Sequence, residues 1–273
     1  MEHIEELVKG RRSVRTYDGR EISRPDLEKL SAFMDRIENP YGIPVEFQLL
    51  DGKKQKLKCP VISGTDLFIG AKVPHVSHME EAVGYSFETL VLYAQSLGIG
   101  TVWVGGTMDR PAFERAMSLA ENERMPCMSP IGYPAQKMSI KESLMRKGVK
   151  ADVRDPFVTL FFDGTFNTPL TPDKANALAQ PLEMVRWAPS AVNKQPWRVV
   201  VTENMAHFYL KHTKGFISDA VGDMQKVDLG IALCHFALAA KESGFDAQFH
   251  IGDPGIKTDN DVEYIASYRL SRV

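Results

Sequence analysis

Apolar residues recur at helical spacing in two long stretches of this chain, and both stretches end in glycine. The first runs from Glu80 to Gly98 and places Val83, Phe87, Leu90, Val91, Ala94 and Leu97 on one face. The second runs from Lys226 to Gly244 and places Leu229, Leu233, Phe236, Ala237 and Ala240 likewise. Each predicts a long helix with little polar relief, closed by a glycine that can take the left-handed conformation. A strand-like run follows each, Thr101 to Val104 and Ala247 to Ile251. The two stretches superpose without a gap when the chain is slid on itself by 146 residues, the distance from Gly98 to Gly244. The same shift carries Gly84 onto Gly230, Ala94 onto Ala240 and Gly106 onto Gly252.

The echo extends upstream. Ser23-Arg24-Pro25-Asp26 and Leu170-Thr171-Pro172-Asp173 each offer an N-cap hydroxyl, an early proline and a first-turn acid, the start signals of a shorter helix. A proline and a β-prone run come after each: Pro44 before Val45 to Leu50, and Pro196 before Trp197 to Val201. Helix, strand, strand, long helix, strand is therefore performed twice. This order predicts two halves, residues 1–160 and 161–273, with the junction between Asp155 and Thr171 and the halves forming one unit. Strands in this order cannot all be joined by crossover helices, so the expected class is α+β, with mixed or antiparallel sheets flanked by helices.

Composition excludes more than it selects. The chain has 273 residues, 44% apolar and 25% charged, ample for a buried core. A formal net charge of −2 gives no general pull toward nucleic acid or anionic membrane, so any anion recognition is local. Cys59, Cys127 and Cys234 form no CxxC pair and suggest neither a disulfide framework nor a zinc site, and a reducing, cytoplasmic setting is expected. No stretch reaches the roughly 18 uninterrupted apolar residues of a membrane helix, and the first residues lack the pattern of a secretory signal. The histidines stand without metal-ligand spacing, His75 and His78 included, and ordinary structural or surface roles are expected for them.

Two segments carry chemistry. Arg11-Arg12-Ser13-Val14-Arg15 puts three guanidinium forks and a hydroxyl into five residues, a set suited to phosphate, although a solvated charge run would look the same locally. Ala188-Pro189-Ser190-Ala191-Val192-Asn193-Lys194-Gln195-Pro196-Trp197 cannot be regular helix between its prolines, yet it carries amides and a hydroxyl fit to bind a heterocycle. Together they resemble the flavin-dependent nitroreductase family. The first matches its Arg-x-Ser-x-Arg opening and the second its Ala-Pro-Ser-x-x-Asn-x-Gln-Pro-Trp segment. Leu97 to Gly106 and Pro130-Ile131-Gly132-Tyr133-Pro134 extend the likeness over most of the chain. In the family the two segments meet across a homodimer interface; here one chain carries both, on opposite sides of the repeat.

The resemblance implies a nitroreductase-like fold, two repeated halves about a pseudo-twofold, and bound flavin mononucleotide (FMN). Carried over by position, Arg11, Arg12 and Ser13 serve the phosphate and ribityl side and Arg15 the N1/O2 edge. Gly105 and Gly106 face N5 and O4, and Pro189, Ser190, Ala191, Asn193 and Gln195 close over the ring. Arg154 is the candidate for the rest of the phosphate site. Its usual basic companion is replaced by Asp152, leaving Lys150, Arg146 or Lys147 as substitutes. The reciprocal position has lost this chemistry: Tyr41 stands where Asn193 does, Ile43 where Gln195 does, and Asp163-Gly164-Thr165-Phe166-Asn167 replaces the arginine pentad. One FMN per chain is expected. The implied activity is reduction of FMN by NAD(P)H and passage of electrons to a small organic acceptor, a nitroaromatic or quinone. A non-catalytic FMN-binding or sensing protein and a same-fold enzyme using oxygen stay open. A chain supplying both segments needs no partner to complete its site, so a monomer is consistent, with dimerisation through another surface left open.

Overall fold

Both glycine-ended stretches are helices in the computed structural model, which describes residues 1–273. In chain order it holds α1 (Ile4–Gly10), α2 (Arg24–Met34), β1 (Glu46–Asp51), β2 (Leu67–Pro74), α3 (Met79–Ser96), β3 (Gly100–Thr101), α4 (Arg110–Ala116), β4 (Glu123–Arg124), β5 (Met128–Gly132) and α5 (Ile140–Gly148). Then come α6 (Phe157–Leu160), β6 (Phe161–Asp163), α7 (Pro172–Ala175), α8 (Ala179–Trp187), β7 (Trp197–Thr202) and β8 (Met205–Lys211). The chain finishes with β9 (Ile217–Ser218), β10 (Gly222–Asp223), α9 (Met224–Glu242), β11 (Phe245–His250) and β12 (Val262–Arg272). No helix is long and apolar enough to cross a membrane.

Two sheets organise these elements. The first runs β1-β2-β5-β3, with β4 attached to β2; the second runs β11-β12-β8-β7-β6. Without β6, the second reads β7-β8-β12-β11, the same path as the first, and every pairing along both paths is antiparallel. β6 joins the edge of β7 in parallel, which makes that sheet mixed. The α+β class with mixed and antiparallel sheets is therefore the observed one. One apolar core packs α3 on the first sheet, another packs α9 on the second, and Trp103 touches both.

The long helices α3 and α9, each packed on its own sheet, meet by direct contact. Gly84 and Gly230 meet at the crossing: a Cβ on Gly84 would collide with the Val227 carbonyl oxygen, and one on Gly230 with the Glu81 carbonyl oxygen. These two contacts interchange under the 146-residue shift, so the backbone approach is the same from either side. Only glycine permits it, because any side chain would drive the two backbones apart.

Elsewhere the elements depart from their sequence signals. Ser23 caps α2 as its sequence implies, its side chain accepting from the Asp26 N–H. The helix begun by Thr171 and Pro172 stops after one turn, because Asn176 takes φ 51°, and a short 3-10 turn then leads into α8. The strand expected at Thr101 to Val104 ends at Thr101. The Val102 N–H bonds the Ser129 hydroxyl, and Val104 makes only an isolated bridge to Met128.

Candidate functional site

The arginine pentad begins where α1 ends, with Arg11 in extended backbone at its C-cap. It then lies along β3 as an extra edge: the Val14 N–H donates to Thr101 O at 2.9 Å, and the Ser63 N–H donates to Arg15 O at 3.0 Å. Ser13 bridges Thr101 in parallel. A Cβ on Gly100 would stand 2.9 Å from both Val14 and Pro134, so a bare backbone is what lets the pentad settle on this strand. Thr16, just after it, exchanges hydrogen bonds with Ser139, the N-cap of α5. That link lays α5 beside the pentad.

The charges gathered here do not balance. The Arg11 side chain is only 6% exposed, its Nε and Nη1 have no hydrogen-bond partner, and its nearest carboxylate is Glu88 Oε1 at 3.9 Å. Burial holds the Arg11 pKa below the usual arginine value, Glu88 pulls the other way, and Arg146 adds to the depression. Arg15 is depressed by the same kind of balance, burial first, with Glu142 opposing and Arg146 adding. Arg12 pairs with the buried Glu142 at 2.9 Å. Arg154 is pushed down to about 10 by burial and then by the charge of Arg11. Its Nε lacks a partner, and its guanidinium lies 5.2 Å from the centre of the Trp187 ring.

Arg146 lies near Arg11, Arg15 and Arg154 alike, lowering all three, and its own partner Asp152 is 81% exposed. Of the three candidates for a companion to Arg154, then, Arg146 from α5 joins the cluster, while Lys147 and Lys150 are exposed. Buried N–H groups without acceptors carry a desolvation penalty that an incoming anion relieves. Forked guanidinium donors fit a phosphate geometrically.

The second segment meets this cluster through Arg154. Asn193 Oδ1 lies 3.4 Å from Arg154 Nη1, and Asn193 Nδ2 donates to the Lys150 and Val153 carbonyls at 2.8 and 3.0 Å. Gln195 accepts from the Asp155 N–H at 2.9 Å, and the Ser190 hydroxyl accepts from the Gln195 N–H at 2.9 Å. The two amides thus fasten the loop to the connector that carries Arg154. Ala191 donates its N–H to both oxygens of the buried Asp228 on α9. The loop is also strained: Val192, Asn193 and Gln195 have φ of 44°, 58° and 47°, and left-handed backbone is unfavourable for a β-branched residue above all. Such strain is characteristic of ligand clamps. Pro189, Ser190 and Ala191 remain partly exposed.

Gly105 approaches the first residue of α9. Its carbonyl accepts from Arg110, and a Cβ there would meet Met224 at 3.3 Å; at Gly106 one would meet nothing within 4 Å. Gly105 and the strained loop therefore both abut the opening turns of α9, at Met224 and Asp228. At the reciprocal position the Tyr41 ring stacks on His78 at 5.3 Å and meets the edge of Phe249 at 4.8 Å, and the Ile43 carbonyl is taken by Asn39.

Sequence reasoning passed over Glu88, Glu142, Asp228 and the partner of His235. Of the two roles expected for the histidines, His235 takes the structural one: fully buried, it lies 2.9 Å from Glu88 Oε1. The signal was present in principle, since Glu88, Asp228 and His235 interrupt otherwise apolar helix faces. Their partners come from another helix or a distant loop.

Residues 3–240 match a family model described as "Putative TM nitroreductase". The chain belongs to this nitroreductase family. The crystal structure of a "putative nitroreductase" from Thermotoga maritima matches 98% of this chain and 92% of its own, with TM-score 0.61 and 20% identity. The shared fold thus extends over both sheets. A nitroreductase family protein from Clostridium novyi matches 49% of this chain and 86% of its own, with TM-score 0.43 and 21% identity. An FMN-dependent nitroreductase from Clostridium difficile matches 52% and 95%, with TM-score 0.42 and 19% identity. No curated protein matches the chain.

Proposed function

We propose that this protein is an FMN-dependent oxidoreductase that draws electrons from NAD(P)H and passes them to a small organic acceptor, a nitroaromatic or quinone, in alternate binding events. The observation that carries the reading is the buried guanidinium cluster of Arg11, Arg146 and Arg154, with N–H groups left unpaired beside a strained loop. That donor set fits a phosphate monoester. Arg12 and Ser13 extend it toward a ribityl chain, and Pro189, Ser190, Ala191, Asn193 and Gln195 form the lid. When bound, FMN supplies the two-electron chemistry. The chain's own part is to bind, orient and shield: Arg15 supplies a fixed positive charge for the pyrimidine edge, and the bare backbone of Gly105 and Gly106 admits a ring closely.

We read residues 1–160 and 161–273 as two copies of one ancestral unit. The equal strand paths and the interchangeable contacts of Gly84 and Gly230 support this reading. One copy gives the phosphate side and the other the lid, so a single chain completes one site, and the Tyr41 wedge leaves no second. Purified protein is expected to carry FMN at one per chain, and anaerobic NADH or NADPH is expected to bleach it. A flavin that stays oxidised with both donors overturns the reductase reading and leaves a binding protein.

A further inference from the structure

The contact between α3 and α9 occurs twice with different chemistry. On one side His235 Nε2 lies 2.9 Å from Glu88 Oε1; on the other Thr89 Oγ1 lies 3.3 Å from Cys234 Sγ. The 146-residue shift turns one contact into the other, carrying Glu88 onto Cys234 and Thr89 onto His235. Since the helices pack through the neutral version, their packing does not require the ionisable one. Two fully buried ionisable groups carry a large desolvation penalty, so their presence calls for another reason. They stand on the arginine side, with Arg11 Nε 3.9 Å from that same Glu88 oxygen.

Hydrogen-bond geometry fixes the proton count. The Met184 carbonyl can only accept, so His235 donates to it from Nδ1 at 2.9 Å. Nε2 then faces a carboxyl oxygen, and one further proton must lie between them, on His235 or on Glu88. Glu88 Oε2 meanwhile accepts from Trp103 Nε1 at 2.9 Å. Both carboxyl oxygens are engaged elsewhere, and Arg11 Nε and Nη1 remain without a hydrogen bond.

We propose that Glu88 is an internal counter-ion for Arg11, held back from full pairing by Trp103 and His235, so that Arg11 keeps an unpaired edge and the site selects a phosphorylated flavin over the unphosphorylated one. The inference rests on the FMN reading above. The groups facing the pair are Arg11, Trp103, Thr89, Cys234 and the Met184 carbonyl; Arg146 acts on it through Arg11. Without the carboxylate, Arg11 has no counter-ion until a phosphate arrives, and phosphate binding tightens. Without the histidine proton, Glu88 is free to claim Arg11, and phosphate binding weakens. Glu88 is thus a positioning residue whose two partners act in opposite directions.

Titration of the full-length apoprotein with FMN and with riboflavin at one fixed pH, followed by flavin fluorescence, tests this. Glu88→Gln is expected to raise the FMN-to-riboflavin affinity ratio several-fold and to lower the apoprotein melting temperature. His235→Gln is expected to lower the ratio on the order of tenfold, within the usual range for coupled sites. Should His235→Gln not fold, the double variant Glu88→Cys/His235→Thr copies the neutral contact already present, and is expected to fold with a ratio no lower than that of the unaltered protein. A ratio that both single variants leave unchanged or move the same way overturns the proposal while FMN binding stands, as does a ratio that falls in the double variant. If the unaltered protein binds neither flavin, the FMN reading and this inference fall together.

Discussion

Arg11 and Arg154 show how much a single side chain can reveal once its surroundings are known. Each has a buried N–H group with no acceptor, and a charge-assisted hydrogen bond to such a group is worth about 1.5–3 kcal/mol. Arg11→Ala and Arg154→Ala are therefore each predicted to weaken FMN binding by roughly ten- to a hundredfold, with riboflavin affected far less. Equilibrium titration with both ligands checks this, and equal losses for both would sink the phosphate assignment. Asp228 supports a prediction about pH. Burial raises its pKa well above the usual carboxyl value, with the Ala191 N–H opposing and Asp223 adding. A carboxyl raised in the folded state holds more protons there than in the unfolded chain, so its stabilisation is present in acid and is lost as pH rises through the raised value. Asp228→Asn keeps an acceptor for Ala191 and cannot titrate. It is predicted to be the more stable form at neutral pH, with a flatter profile in urea unfolding; parallel profiles would contradict it.

At the scale of elements, the α3–α9 crossing has the least freedom. Gly84→Ala puts a methyl group into the Val227 carbonyl and is predicted to destabilise by about 2–3 kcal/mol, the upper range for overpacking. Gly106→Ala meets open space at ordinary φ and is predicted to stay within about 0.5 kcal/mol of the parent. Thermal melts of both variants decide the matter, since comparable losses would mean that the crossing tolerates separation. These helices were legible in the sequence because their apolar stripes are long and regular. The shorter pieces were not: α7 breaks at Asn176 for a backbone reason, and β3 ends at Thr101 because Ser129 captures the next N–H. α5 gave signals of another kind. Its position beside the pentad depends on Thr16 meeting Ser139 and Arg12 meeting Glu142, pairs far apart in sequence.

For the whole molecule, the prediction is one FMN per chain, with binding that needs residues from both halves. Residues 1–160 expressed alone are predicted to bind FMN at least a hundredfold more weakly than the full chain, because they lack the loop that Arg154 reaches and the α9 carboxylate that holds it. Absorption of the purified full chain gives the stoichiometry, and calorimetry on the fragment gives the affinity. Two flavins per chain, or a fragment that binds as tightly as the parent, would refute the composite site.

The sequence by itself determined the two long helices and the α+β class, and it supplied the repeat reading and the two segments proposed to hold a cofactor. These rest on local spacing and on residue types that have few other uses. Only the tertiary structure decided which of Arg146, Lys147 and Lys150 joins Arg154, how the loop amides are spent, and that a buried glutamate and histidine stand behind Arg11. Those outcomes depend on which distant groups share a low-dielectric interior, and neither spacing nor composition encodes that neighbourhood.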